Sequence, residues 1–339
     1  DSNLKMEPYI SFIAAGRNDN YGEDFNYRLE NHINQLASLI DQYKLHCEYI
    51  MVNYNPLEDQ PSLSEKIKWP DTKFCTIRII TVPKSVHETL ENEDIRDTVP
   101  LYEYIAKNVG IRRAKGEYIC ALNSDIMFSP QIIQFIAKRK LKVDMYYRCD
   151  RIDFNRVEID SKNLPKTLIN ILQKHSFKAF LKGSNTNINF ANYFQFRFIL
   201  LKIKSRIKLK LFSLTINDIY PEFHYHCNCS GDFMLMHKVN WNKLNGNPEN
   251  TRIAAHTDSM FVIMAAMSGL KEKVFRWPVY HQDHERRFIC DGDTIEPRVE
   301  EMHQTYLKYA RKMLLERAPI IHNDDDWGLS EYQFDEEIK

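Results

Sequence analysis

The sequence predicts an α/β protein, a mainly parallel sheet flanked by helices with a helical extension at its C-terminal end. Three observations predict it. Short apolar runs alternate with helix-periodic segments over the first 122 residues, and such alternation builds parallel sheets joined by right-handed crossovers. The 339 residues are 43% hydrophobic and 12% aromatic, enough for a sizeable core. With 10 Gly and 13 Pro, the chain is neither loop-dominated nor disordered in composition.

The elements follow in order. Residues 8–16 (PYISFIAAG) read as a buried first strand ending in small residues. From Phe25 to Tyr43 the apolar positions Leu29, Ile33, Leu36, Leu39 and Ile40 recur at helical spacing. Strands are expected at 48–53 (EYIMVN) and 74–82, a helix at 101–115 and a fourth strand at 117–122. A helix over 130–141 and one strand over 143–153 come next. The pattern weakens between 160 and 220 and contains a basic stretch, Arg197 to Lys210, whose spacing fits neither period cleanly. Residues 232–244 are expected to turn into a helix, and 258–268 form an apolar helix with Gly269 as its C-cap. A strand over 273–281, an amphipathic helix over 296–317 and an acidic tail from His322 complete the chain. The expected division is a catalytic domain over 1–290 and a helix-plus-tail over 291–339. Within the first, 1–125 and 126–290 are read as two halves, nucleotide-binding and partner-binding in expectation, with the basic insert near 160–220. No repeat or low-complexity segment is present.

Charge and cysteine content narrow the function classes. Lys+Arg and Asp+Glu are both 46, so net charge offers no case for nucleic-acid binding. The 7 Cys are odd in number and unevenly spaced, which favours free thiols in a reducing compartment. No apolar run approaches the roughly 20 residues of a membrane span. The expectation is a cytoplasmic protein, associated with membrane if 197–210 contacts it. The chain opens on Asp1 rather than Met, so an earlier anchor stays open.

Three blocks carry chemistry. In Asn108–Asp125 (NVGIRRAKGEYICALNSD) a helix and turn lead to a strand that delivers Asn123, Ser124 and Asp125 at its tip. A carboxylate there can hold Mg²⁺ or Mn²⁺, and the cation can neutralise a diphosphate leaving group. Alone, such a triplet is more readily an ordinary turn, because three polar residues after a strand are common. In Ala255–Gly269, Asp258 opens an apolar helix, where the dipole favours a carboxylate; an N-cap is the plain alternative. In Pro278–His284 (PVYHQDH), His281 follows a short strand and is either a metal ligand or a partly buried histidine.

Together the blocks resemble the inverting GT-A glycosyltransferases, in particular the broad family-two-like group with its Rossmann-like, mainly parallel sheet. Asn108, Gly110, Ala114 and Gly116 match that family's N-x-G-x-x-x-A-x-G run, and Asn123-Ser124-Asp125 stands at its D-x-D. Asp258 with Gly269, and Pro278 with His281, match the later helix and strand. The resemblance covers roughly 8–285. The segments CSGDFMLM (229–236), the helix around Trp241 and NDDDWGL (323–329) look like a bacterial-type subgroup.

The resemblance implies transfer of a sugar from a nucleoside-diphosphate donor (UDP, GDP or dTDP) to an acceptor hydroxyl, with inversion. The acceptor would be a glycan, polysaccharide or glycolipid. Asp125 and His281 would ligate Mn²⁺ or Mg²⁺, with Asn123 at the position of the usual first Asp and weakening the site's charge. Asp258 would be the general base, with Asp232 a rival beside the acceptor-lining Gly231. Ala15, Gly16, Arg17 and Asn18 match the nucleotide-contact turn. Asn53 stands where a base-contacting Asp is frequent, and its amide suits several bases. Asn108, Ser124 and Arg112 complete the expected donor contacts. Arg148, Asp150, Arg151 and Asp153 would bind the donor sugar or form an ion-pair ladder. The cluster His224, His226, Cys227 and Cys229 has zinc-type ligands but not finger spacing. The competing classes are a nucleotidyltransferase, opposed by the Gly-poor turn GRNDNYGED, and a degenerate domain that binds glycans or partners.

Overall fold

The computed structural model describes residues 7–90, 99–161, 164, 166–188, 194–213, 224–250, 255–284 and 296–339. The chain starts with β1 (Ile10–Gly16), α1 (Phe25–Tyr43), β2 (Cys47–Tyr54), α2 (Leu63–Lys66), β3 (Cys75–Val82) and α3 (Lys84–Thr89). It continues through α4 (Glu103–Arg113), β4 (Tyr118–Leu122), β5 (Ile126–Phe128), α5 (Pro130–Ala137), β6 (Met145–Arg148) and β7 (Arg151–Phe154). Then come α6 (Leu168–Lys174), β8 (Ser176–Leu181), β9 (Ser184–Asn187), α7 (Phe194–Ser213), β10 (Phe233–His237) and α8 (Lys238–Lys243). The last elements are α9 (Thr257–Met267), β11 (Lys271–Val274), β12 (Val279–Gln282), α10 (Glu296–Glu316) and β13 (Asp335–Ile338).

An eight-stranded sheet has the order β11-β6-β10-β4-β1-β2-β3-β13, and a five-stranded sheet the order β5-β12-β7-β8-β9. Strands β4, β1, β2 and β3 run parallel. Strands β1 and β2 are buried along their whole length, the continuous apolar run of a sheet covered on both faces. This is the α/β class the sequence predicts. One core lies between the sheet and α4, α9 and α10; a second lies under α1 and α5; a third lies between the smaller sheet and α6 and α7.

Local sequence explains the tight joints. Helix α1 faces inward through Leu29, Ile33, Leu36 and Ile40. It stops where Lys44 turns left-handed and the Leu45 N–H closes on the Ile40 carbonyl at 3.0 Å. Gly110 lets α4 lie against the sheet, because a Cβ there would come within 2.5 Å of Ile13. At Gly116 a Cβ would meet the Ser11 backbone nitrogen at 2.5 Å. The glycines of the N-x-G-x-x-x-A-x-G run are therefore packing residues.

Four expectations are corrected. The strand read over 143–153 is two strands, β6 and β7, in different sheets, and the strand read over 273–281 is likewise β11 and β12. The two pairs cross in tandem: the Phe275 N–H bonds the Arg148 carbonyl at 2.8 Å and the Val279 N–H the Asp150 carbonyl at 2.9 Å. Neither crossing contains a glycine to punctuate it, so the sequence reads each pair as one run. Residues 233–237, read as part of a turn, form the antiparallel strand β10 between β4 and β6. The acidic tail ends in β13, antiparallel to β3. Arg78 holds it through Glu336 at 2.7 and 2.8 Å while also reaching the buried Glu48 at 2.8 Å. The tail thus completes the main sheet rather than lying apart from it. The basic stretch is helical throughout. Among the described residues no helix is long and apolar enough to cross a membrane.

Candidate active site

A cavity of about 430 Å³ opens at the carboxyl ends of β1 and β4, the side on which parallel α/β sheets bind ligands. Strand β1 supplies Ala15, Gly16 and Arg17, and the turn after β4 supplies Asn123, Ser124 and Asp125. Arg28 enters from α1 and Arg151 from β7. Gly231 and Asp232 come from the turn before β10, Asp258 from the first turn of α9, and His281 and His284 from the end of β12.

Asp125, His281 and His284 bring one ligand atom each to within 4.8 Å of one another. His281 Nε2 lies 3.6 Å and His284 Nε2 3.4 Å from Asp125 Oδ2. Arg28 donates to the same oxygen at 2.8 Å. Asp125 Oδ1 is buried and has no hydrogen-bond partner among the described residues. Burial by itself would raise this carboxyl's pKa, but His281, His284 and Arg28 outweigh it and hold it well below the usual carboxylate range. An ionised carboxylate with one oxygen uncommitted, beside two imidazoles, fits a divalent cation. It is the one such His/Cys/Asp/Glu cluster among the described residues.

Behind the cluster runs a buried polar chain. His281 Nδ1 faces Asp153 at 3.5 Å. Arg151 grips both oxygens of Asp153 at 2.5 and 2.9 Å and reaches Asp232 at 2.8 Å. Asn123 donates to the other Asp232 oxygen at 2.7 Å, and Lys107 donates to Asn123 at 2.5 Å, to Glu103 at 2.6 Å and to the Gly231 carbonyl at 2.9 Å. Asn123, expected as a metal ligand, lines the same cavity with its amide engaged by Asp232 and Lys107. Asp232 has both oxygens engaged, one by a buried guanidinium, which ill suits a base. Asp258 is half-buried. Its Oδ2 accepts from the Gly231 N–H at 2.7 Å and its Oδ1 from the Ser259 N–H at 2.8 Å. Neutral amide donors orient it without neutralising it.

The remaining sequence-derived residues divide sharply. Ala15, Gly16, Arg17 and Ser124 line the cavity; a Cβ on Gly16 would meet Phe25 at 2.4 Å. Asn18, Asn53, Asn108 and Arg112 are not among the lining residues, a correction to their expected donor contacts. Asn18 ties down the 57–61 loop, accepting from the Leu57 N–H at 2.7 Å and donating to the Leu57 and Pro61 carbonyls at 3.0 and 3.1 Å. Asn53 is fully buried in β2 opposite Gly16 and Thr81. Asn108 brackets Asn247 and Glu249, and Arg112 bonds the Trp327 carbonyl at 3.0 Å and lies over its ring. Arg112 fastens the C-terminal tail, and Asn108 fastens the 247–249 loop. Arg148 and Asp150 do not face the cavity either: Arg148 bonds the His226 and Asn228 carbonyls and Asp150 holds His226 at 3.0 Å. That engagement uses His226 structurally, against a zinc role for the HYHCNC segment.

Sequence reasoning missed Arg28, His284 and the Lys107 link. His284 stood inside PVYHQDH, but a three-residue spacing after a strand points to opposite faces, so nothing local joined it to His281. Arg28 gave no signal, since one arginine in an amphipathic helix reads as surface charge.

No family model matches the chain, and no curated protein matches it. Solved structures resemble it in layout. The crystal structure of S. aureus TarS 1–349 shares 11% identity, covering 80% of this chain and 60% of that one, with a TM-score of 0.43. That of GalNAc-T7 with UDP, GalNAc and Mn²⁺ also shares 11% identity, covering 98% of this chain and 54% of that one, with a TM-score of 0.47. The chain thus spans well under two thirds of these structures' length. The class defined by fold and cavity is an α/β protein with a cation-type cluster at its strand ends; function is argued from those side chains.

Proposed function

We propose that the protein is a glycosyltransferase that moves a sugar from a nucleoside-diphosphate donor to an acceptor hydroxyl with inversion. One observation carries the reading: Asp125, His281 and His284 line the same cavity as Asp258. A diphosphate leaving group needs cationic neutralisation and an acceptor hydroxyl needs a base, and these residue types supply both needs. Asp125, His281 and His284 would hold the metal, Mn²⁺ rather than Mg²⁺, because two imidazoles suit an ion outside the all-oxygen preference of Mg²⁺. Bound there, the metal supplies charge neutralisation to the departing diphosphate. Arg28, in the same wall, is a second cation for that group.

Asp258 takes the proton of the acceptor hydroxyl. The freed oxygen bonds to the anomeric carbon as the bond from that carbon to the diphosphate breaks, and the nucleoside diphosphate leaves with the electron pair. Attack from the face opposite the leaving group inverts the centre. The Gly231 and Ser259 N–H groups orient Asp258, and the Arg151–Asp232–Asn123–Lys107 chain fixes the turn that carries Gly231. Ala15, Gly16 and Arg17 form the floor on which the nucleotide lies. Donor hydrolysis with Mn²⁺, measured over a panel of nucleotide sugars for wild type and Asp258→Ala, tests the proposal. Wild type turns over at least one donor and the variant falls by about 10²–10⁴-fold, the usual worth of a general base. Failure of every donor both to turn over and to raise the melting temperature with Mn²⁺ rejects it.

A further inference from the structure

Helix α7 carries a feature the transfer reaction does not use. Its sequence, FQFRFILLKIKSRIKLKLFS, contains six Lys or Arg and no acidic residue. One side is anchored. Phe198 and Leu201 enter the core of the smaller sheet, Ser205 bonds Ser184 at 2.8 Å, and Lys202 pairs with Asp150. The opposite side bears Ile199, Leu200, Ile203, Ile207 and Leu211, which are 47–59% exposed. At 100° per residue these five fall within one sector of about 120°, facing away from the core. Arg206 borders it on one side and Lys204, Arg197 and Lys208 on the other, with Lys210 inside it. The helix is apolar on two opposite faces, so its polarity averages out around the axis; burial is what separates the two faces.

Five exposed aliphatic side chains framed by cations define the occupant. A second copy of the chain would bring six like charges against six. An acidic polymer would satisfy the cations and leave the aliphatic sector in water. An anionic bilayer meets both, taking the apolar sector into the acyl boundary and the ammonium and guanidinium groups at its phosphates. We infer that α7 is a docking surface for an anionic lipid bilayer. Because Lys202 of α7 pairs with Asp150, next in sequence to the cavity residue Arg151, docking holds the smaller sheet and the cavity at the membrane surface.

The test is flotation of the full chain with phosphatidylcholine vesicles and with mixed phosphatidylcholine–phosphatidylglycerol vesicles. The wild type binds only the mixed vesicles, and added salt weakens the binding. The triple variant Lys204→Gln/Arg206→Gln/Lys208→Gln binds on the order of 100-fold more weakly, at roughly fivefold per basic residue near the surface. The double variant Ile203→Ser/Ile207→Ser also loses binding. Both keep the wild-type melting temperature, since all five positions are exposed. Absence of binding by wild type, or equal binding by all three proteins, overturns the inference. So does self-association that the isoleucine variant abolishes while wild type ignores vesicles, which would make the face an interface between copies. Vesicle binding requires neither donor nor metal, so this result stands or falls separately from the transfer reaction.

Discussion

His284 and Arg28 compete for one oxygen of Asp125, and that crowding sets what each residue contributes. With Arg28 2.8 Å from Asp125 Oδ2 and both imidazoles within 3.6 Å of it, the carboxylate stays ionised although buried. Oδ1, which has no hydrogen-bond partner among the described residues, would be the atom that ligates. His284→Ala should raise the Mn²⁺ dissociation constant by at least about 10-fold, since even outer-shell changes around a metal cost that much. A calorimetric Mn²⁺ titration checks it, and unchanged affinity would remove His284 from the site. Asp232 illustrates a different residue-level point. It stands beside the cavity as Asp258 does, yet a guanidinium and an amide consume both its oxygens, whereas among the described residues Asp258 accepts hydrogen bonds from backbone amides.

Among the elements, β13 is held by its ladder to β3, by Ser64 on Glu337 and by Arg78 on Glu336. Arg78 joins Glu48 in β2 to Glu336 in β13. The bond from Arg78 holds the Glu336 carboxyl below its ordinary range despite partial burial. Glu336→Gln should lower stability by about 1–2 kcal/mol, the worth of a charge-assisted pair of hydrogen bonds. Urea denaturation of the two proteins reads this directly. An unchanged midpoint would mean that the β3–β13 ladder alone secures the tail. Helix α4 works similarly at its C-terminal end, where Arg113 donates to the carbonyls of Gly328, Leu329 and Tyr332 at 2.7–2.8 Å.

At the scale of the whole molecule, acid should unfold the protein in two stages. His32 in α1 is fully buried against Tyr49 and Phe128 and bonds the Ile126 carbonyl. Burial depresses its pKa to about 4, from 6.5. The unfolded chain therefore binds a proton at His32 before the fold does. Its contribution is complete above pH 6.5, is lost as pH falls towards about 4, and changes no further below that. The loss is about 3 kcal/mol at roughly 1.4 kcal/mol per unit. Asp125, Asp150 and Asp153 have pKa values lowered by their partners despite burial, so their contributions persist until still lower pH. His32→Asn keeps a donor for the Ile126 carbonyl and should flatten the first stage alone. Denaturation midpoints across pH 4 to 6.5 compare the two slopes, and identical slopes would acquit His32.

What the sequence determined by itself was the fold class and three polar residues that meet in one cavity. Helix α1 was legible end to end because burial imposes one period on nineteen residues, and β1 to β4 because doubly covered strands are mostly apolar, with Glu48, Asn53 and Arg78 as buried exceptions. Asp125, His281 and Asp258 were legible because each sits at an element's end, where backbone geometry marks it locally. Only the tertiary structure decided the rest. It turned Asn108, Arg112 and Asn18 from ligand contacts into fasteners, split 143–153 and 273–281 between two sheets, and recruited an acidic tail as a strand. It also brought Arg28 and Asp125, 97 positions apart, to a common oxygen. The physical reason is one of range. Periodicity, caps and turns record interactions a few residues long, whereas the partner of a buried polar atom is set by which distant segments pack around it.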